Sequence, residues 1–137
     1  MITKLTRMTI WVRNQEEAVS FYTEKLGFEK RADNEFWSGR RWITVAPKEQ
    51  KELEILLEPI EWLEEDARKK SEQVIGNQPI GVFETQDCRK TYEELVGKGV
   101  QSIFPPQEQM WGVEARLADL YGNQFSLLQP KIGASSQ

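Results

Sequence analysis

The sequence WVRNQEEAVSFYTEKLGFE, residues 11–29, contains the end of one strand and a complete short helix. Residues Leu5–Val12 alternate between apolar and polar side chains, which predicts a strand. Asn14 is a suitable N-cap for a helix, and Glu17 follows three residues later as in a capping box. Apolar residues then recur at helical spacing, and Gly27 suits the position just after the helix. The segment therefore predicts a strand followed by a helix that ends before Gly27.

The second half of the chain repeats this order. Ile80–Thr85 predicts a short strand, Asp87 is suited to cap the next helix, and Gly99 is suited to end it. Three further strands are predicted after each helix, so that each half has the order βαβββ and the chain is an internal duplication. These further strands are two between Phe28 and Ala46 with a turn near Ser38-Gly39, then Leu53–Glu58, Gln101–Phe104, Trp111–Ala118 and Gln124–Gln129.

Two segments lie outside the repeats. Residues 61–73 are highly charged and contain no helix breaker, which predicts a short solvated linker helix. Residues 131–137 are mostly polar and predict a disordered tail. The remaining chain, residues 4–130, predicts one domain of two modules, at about 4–58 and 78–130.

Composition excludes several classes of protein. The 137 residues include five Trp and six Phe, too many aromatic side chains for a disordered chain. A net charge of −4 and the lack of a basic run argue against a nucleic-acid partner. No segment reaches the roughly 18 apolar residues of a membrane span, and the polar start is unlike a signal peptide. The single cysteine, Cys88, allows no internal disulfide, so a cytoplasmic protein is expected.

The sequence contains no histidine, which limits its chemistry. Catalytic systems that pair Ser or Cys with His are excluded, and so are metal sites with His ligands. One cysteine cannot form a zinc-thiolate cluster. Cys88 begins a predicted helix, where the pKa of a thiol can fall, but without a His partner an ordinary thiol is expected. Any catalysis would use carboxylates, Lys, Arg, Tyr or a bound cofactor, and no catalytic residue is assigned.

Two segments resemble the vicinal oxygen chelate superfamily, which includes glyoxalases, extradiol dioxygenases, fosfomycin-resistance enzymes and bleomycin-resistance proteins. The first resembles the family's opening motif "FY…LGF", which is Phe21-Tyr22 and Leu26-Gly27-Phe28 in this chain. The second, residues 111–129, resembles the motif "G…D-P-x-G-N" followed by a strand. Its matching residues are Gly112, Asp119, Gly122 and Asn123, with Leu120 in the place of the proline.

The resemblance extends from residue 4 to about residue 129. It implies an α+β fold of two βαβββ modules, whose curved mixed sheets form a shared cleft. It also implies a metal held by one residue from each of four strands. The motif register places these four ligands at Arg7, Glu54, Ile80 and Ser126. Only Glu54 is a good ligand for a divalent cation, and Arg7 carries a fixed positive charge. The sequence therefore predicts that the metal site is lost and that no metal or other cofactor is bound.

Strand alternation, placed by the same register, predicts which side chains face the cleft. The predicted wall mixes aliphatic, aromatic and charged groups, as small-molecule pockets do. Arg7 and Glu54 are expected to pair across the cleft, because a carboxylate without a metal needs a cation. The predicted binding residues are Arg7, Thr9, Trp11, Glu52, Glu54, Leu56, Ile80, Val82 and Ser126. Gln124 and Leu128 extend the wall, and Glu114 and Arg116 join it if their strand has the right phase.

The function implied by the resemblance is binding of a small, partly apolar or aromatic molecule without a metal, similar to the bleomycin-resistance branch. A homodimer is expected, because the family's modules commonly pair across chains. One alternative is a metal-dependent lyase or dioxygenase of the same superfamily that uses displaced carboxylates such as Glu52, Glu54 and Glu114. Another is a non-catalytic interaction domain whose cleft is closed, with Arg7 and Glu54 filling it.

Overall fold

The computed structural model of the protein describes residues 1–131, which form two compact units. The first unit comprises residues 1–75, and the second begins at Gly76. Except for Lys131, the predicted disordered tail lies outside the described residues. Within residues 1–131, no helix is both long and apolar enough to cross a membrane.

The first unit contains one βαβββ module and a linker. Its four strands form a sheet in the order β1-β4-β3-β2, in which β1 and β4 are parallel and the other neighbours are antiparallel. Helix α1 continues as one π-helical turn over Phe21–Lys25. The elements of this first module are β1 (Arg7–Val12), α1 (Gln15–Ser20), β2 (Glu29–Trp37), β3 (Arg40–Ala46) and β4 (Glu54–Pro59).

Local sequence explains how α1 begins and where its π turn ends. The Asn14 side chain accepts a hydrogen bond from the backbone N–H of Glu17, which satisfies one free donor of the first turn. Gly27 has a φ of 74°, a conformation that costs a non-glycine residue free energy. Between these points Tyr22 is fully buried against Phe28. The predicted cap and end are confirmed.

The linker between the modules differs from its prediction. A helix was expected over residues 61–73, but the chain first forms a 3-10 turn at Ile60–Trp62. Helix α2 follows at Glu65–Val74. The turn lies where Ile60 is buried and Trp62 packs on Phe36, so tertiary contacts rather than helix propensity determine the start.

The second unit repeats the topology of the first. Its sheet has the order β5-β8-β7-β6, with β5 and β8 parallel. The predicted α+β fold of two βαβββ modules is confirmed, whereas the shared cleft stays a prediction. The elements of this second module are β5 (Gly81–Glu84), α3 (Cys88–Gly97), β6 (Gln101–Gln109), β7 (Gly112–Ala118) and β8 (Gln124–Pro130).

Strand β6 is longer than predicted. The sequence indicated an end at Phe104, because Pro105 and Pro106 follow and proline has no N–H for a sheet. The strand nevertheless continues to Gln109 as the outer strand of its sheet, with irregular register on both sides of Phe104. Edge strands and bulges are the places where a sheet tolerates proline.

The turn between β7 and β8 is built on two buried polar side chains. Asp119 Oδ1 accepts hydrogen bonds from the backbone N–H groups of Tyr121 and Asn123, and its Oδ2 accepts one from Asn123 Nδ2 at 3.0 Å. Asn123 Oδ1 in turn accepts from the N–H groups of Gly76 and Gln78, at 2.7 and 3.0 Å. The second family motif therefore fixes both this turn and the segment that leads into β5.

Candidate functional site

One face of the first sheet collects most of the binding residues predicted in this unit. Strands β1 and β4 are parallel neighbours, and side chains of paired residues lie on the same face of a sheet. Glu52 is the exception, since it is exposed in the turn before β4. The cross-strand pairs on this face are Arg7 with Glu54, Thr9 with Leu56, and Trp11 with Glu58.

Three aromatic rings lie together in the first unit, and two arginines cover them. The Phe36 ring lies 5.7 Å from Trp42 and 5.4 Å from Trp62, in edge-on contacts. The guanidinium carbon of Arg7 lies 4.8 Å from the Trp42 ring centroid, and that of Arg40 lies 5.8 Å from the Trp62 centroid. Phe36 is 49% exposed. We call these three rings the aromatic patch.

None of the three rings is among the binding residues predicted from the sequence. Phe36 lies within a register shift of β2, between Glu35 and Trp37, so simple alternation does not give its direction. Trp62 lies in the charged linker, where the sequence predicts a solvated helix. The spacing of aromatic residues gave no signal that these three would meet.

The predicted pairing of Arg7 with Glu54 is wrong. The two residues are cross-strand partners, yet no ion pair joins them in the described chain. The Glu54 carboxylate instead accepts a hydrogen bond from the hydroxyl of buried Thr44 at 2.8 Å. Arg7 is exposed and stacks on Trp42. Stacking leaves the guanidinium hydrated at its edges, which costs less than burying the charge in a pair.

The four mapped metal positions do not fit a divalent cation. Arg7 is a cation, Ile80 is a buried hydrocarbon and Ser126 offers one neutral hydroxyl. Among residues 1–131, no three His, Cys, Asp or Glu side chains lie close enough together to hold a metal ion. The donor set therefore has one carboxylate, Glu54, and no imidazole, which is too few ligands for such an ion.

We predict that the purified protein contains far less than one equivalent of divalent metal per chain. The reason is the set of side chains at the mapped positions, of which only Glu54 is a good ligand. Elemental analysis after purification without chelators measures this directly. A content near one zinc, manganese, nickel or iron per chain would contradict it.

A raised pKa marks Glu58 on the same sheet face. Burial raises the pKa of this carboxyl, because the charged form loses hydration. The folded-state pKa is then above the unfolded-state pKa, so ionised Glu58 destabilises the fold at neutral pH. We predict that Glu58→Gln modestly increases the urea midpoint at neutral pH. This gain should disappear as the pH falls through the folded-state pKa towards about 4, whereas exposed Glu61→Gln should change little at either pH.

The second unit contains a recess of about 450 Å³. Val82, Arg116, Gln124 and Ser126, all named as wall residues, line it. Ile80, also named, is 5% exposed and is not part of the lining. Residues 76–79 form part of the wall and were not predicted, because they belong to no strand.

Cys88 is not a reactive thiol. It is fully buried at the start of α3, and its Sγ lies 3.5 Å from the Leu127 carbonyl oxygen, to which it donates. Burial raises the pKa of the thiol, opposite to the fall that a helix N-terminus can cause. The side chain is therefore a part of the core.

Comparison with known proteins agrees with this architecture. The family model of the glyoxalase/bleomycin resistance protein/dioxygenase superfamily matches residues 4–127. YurT of Bacillus subtilis (strain 168) is 36% identical over 129 residues, which are 92% of this chain and 98% of YurT.

Solved structures give the same result. The crystal structure of UcmS2 superposes with a TM-score of 0.85 at 37% identity, covering 94% of this chain and 99% of UcmS2. TnmS3, an antibiotic binding protein from Streptomyces sp. CB03234, has a TM-score of 0.73 at 26% identity, covering 95% and 98%. The chain therefore belongs to the glyoxalase/bleomycin resistance protein/dioxygenase superfamily.

Proposed function

We propose that the protein binds a small, partly aromatic molecule on the aromatic patch of the first unit, without a metal. The patch itself is the observation that carries the proposal. A half-exposed Phe36 in edge-on contact with two tryptophans offers aromatic surface against which a planar molecule can pack. Stacked Arg7 and Arg40 keep N–H donors at the edge of that surface, where they can orient polar groups of the ligand.

The chemistry of the surrounding face suits a neutral or weakly polar aromatic ligand. Thr44 and Leu56 are buried on β3 and β4, and burial raises the pKa of the Glu58 carboxyl. This mixture of apolar area and a few polar groups is typical of small-molecule sites. The antibiotic binding of TnmS3 is a property of that protein and supports the same class of function here.

Metal-dependent catalysis has less support. It would require displaced carboxylates, but Glu54 accepts a hydrogen bond from Thr44 and Glu114 accepts one from the Trp111 indole at 2.7 Å. Glu52 is exposed in a turn. The interaction-domain alternative requires Arg7 and Glu54 to fill a closed cleft as a pair, and they do not pair.

A comparison of two tryptophan variants tests the proposal. Isothermal titration with 2-naphthol should show saturable binding that Trp42→Leu weakens by about tenfold or more, since the stacking surface is lost. Trp37→Leu is the matched control, because Trp37 is on the same hairpin, is 66% exposed and lies outside the patch. Cyclohexanol, which cannot stack, should bind more weakly. Equal losses in both variants, or equal binding of both probes, would contradict the proposal.

We also propose that the protein is a cytoplasmic homodimer. Strands β1 and β2 are outer strands of an open sheet, and such edges invite pairing with another chain. Sedimentation equilibrium at micromolar concentration should give twice the 16.0 kDa mass of the chain. A species that remains at the monomer mass would contradict the dimer.

A further inference from the structure

We propose that the recess of the second unit is a binding site for the carboxylate of an organic acid, and that Arg116 contacts the anion. Every residue in this argument belongs to the second unit. The inference therefore does not rest on the function proposed for the aromatic patch, and each can fail without the other.

Strand pairing directs one row of side chains to a single face of the second sheet. Ser126 on β8 is the cross-strand partner of Val82 on β5 and of Arg116 on β7. Arg116 is in turn the partner of Phe104 on β6. Paired residues lie on the same face, so the row runs from Val82 across Ser126 to Arg116 and Phe104. The first three of these residues line the recess.

Arg116 is a half-buried cation that no described carboxylate neutralises. Its guanidinium carbon lies 5.2 Å from the Phe104 ring centroid, and no ion pair to it is present in the described chain. Two acidic side chains lie on the same face of the sheet, each two residues along its strand from this row. Glu114 is engaged by the Trp111 indole, and Glu84 is exposed on β5. The Phe104 ring packs against the flat face of the guanidinium. The N–H groups at the edge of the guanidinium stay available to donate to an oxyanion.

The rest of the lining adds neutral donors and apolar surface without any acidic residue. Ser126 contributes a hydroxyl, and Gln78 and Gln124 contribute amides. Pro79 and Val82 contribute hydrocarbon surface. A volume of about 450 Å³ lies within the range of small-molecule sites. One cation, neutral donors and an apolar wall favour a monocarboxylate on an apolar or aromatic body over a metal cation or an amine.

Nuclear magnetic resonance titration of the ¹⁵N-labelled full chain tests the proposal, with benzoate as the probe and neutral benzamide as its isostere. Benzoate should shift the backbone amides of Gly81, Val82 and Ser126 in a saturable way, and benzamide should bind at least about tenfold more weakly. Arg116→Gln should weaken benzoate binding at least about tenfold, and Arg116→Lys by less, since the charge remains but the fork is lost. Arg89→Gln, an exposed change of equal charge in the same unit, should leave binding within about twofold.

Several results would overturn the inference. They are no saturable shift with benzoate, equal affinity for benzamide, or equal losses in Arg116→Gln and Arg89→Gln. Shifts confined to the first unit, at Trp42 and Thr44, would also overturn it, since the acid would then bind the aromatic patch. If Arg116→Gln does not fold, Arg116→Lys decides: unchanged benzoate affinity contradicts a role for the guanidinium fork.

Discussion

Replacement of Asn123 by alanine is expected to lower the free energy of unfolding by about 2–4 kcal/mol. Asn123 is fully buried, and its side-chain oxygen accepts hydrogen bonds from the N–H groups of Gly76 and Gln78. The variant leaves these two donors without an acceptor, and an unmet buried polar group costs more than the average hydrogen bond contributes. Urea denaturation followed by circular dichroism measures the loss.

A reciprocal exchange with Asp119 separates this hydrogen-bond network from simple packing. In the Asn123→Asp variant, one carboxylate oxygen still accepts from both N–H groups. The other carboxylate oxygen replaces Nδ2, which donates to Asp119 in the native protein. Two facing carboxylates repel, so this variant should be destabilised at neutral pH and recover as the pH falls. The double variant D119N/N123D restores one amide and one carboxylate and should regain most of the stability. A double variant no better than N123D alone would contradict the network.

Replacement of Gly112 by alanine is expected to destabilise the protein by about 3 kcal/mol or more. Gly112 has a φ of 145°, a region that is open almost only to glycine. A Cβ built there overlaps the backbone carbonyl oxygen of Gln129 and approaches the Lys131 nitrogen to 3.0 Å. Backbone cannot move aside as a flexible side chain can, so the paired backbone at the start of β7 and the end of β8 must shift.

Gly97→Ala is the matched control for this prediction. Gly97 ends α3 without a positive φ, and a Cβ there meets no atom within 4 Å. Alanine should be neutral or stabilising by up to about 1 kcal/mol, because it favours the helix and restricts the unfolded chain. A Gly112→Ala variant as stable as Gly97→Ala would show that the close approach at Gly112 is relieved at little cost.

Short-range signals in the sequence were sufficient for the caps and ends of the helices in both modules. Asn14 and Asp87 each accept a backbone N–H at a helix start, as a cap must, and Gly27 and Gly99 have the positive φ that ends a helical segment. These features depend on a few neighbouring residues. They could therefore be predicted without knowledge of the tertiary structure.

Contacts between distant residues could not be predicted in the same way. Alternation predicted the strand face of Glu54, but its partner is Thr44, which reaches it diagonally from the adjacent strand β3. Phe36 and Trp62 meet through a strand irregularity and a 3-10 turn, neither of which has a periodic pattern. Arg116 was named only conditionally, since the phase of its strand depends on the pairing with β8.

The indole N–H signals of the five tryptophans give the most direct measurement of metal-free binding at the aromatic patch. The protein is titrated with 2-naphthol in buffer that contains EDTA. The Trp42 and Trp62 signals should shift in a saturable way, whereas the signal of Trp111, whose indole donates to Glu114 in the second unit, should stay unchanged. Signals that do not move until a divalent metal replaces EDTA, or that move equally for all five tryptophans, would contradict metal-free binding at the patch.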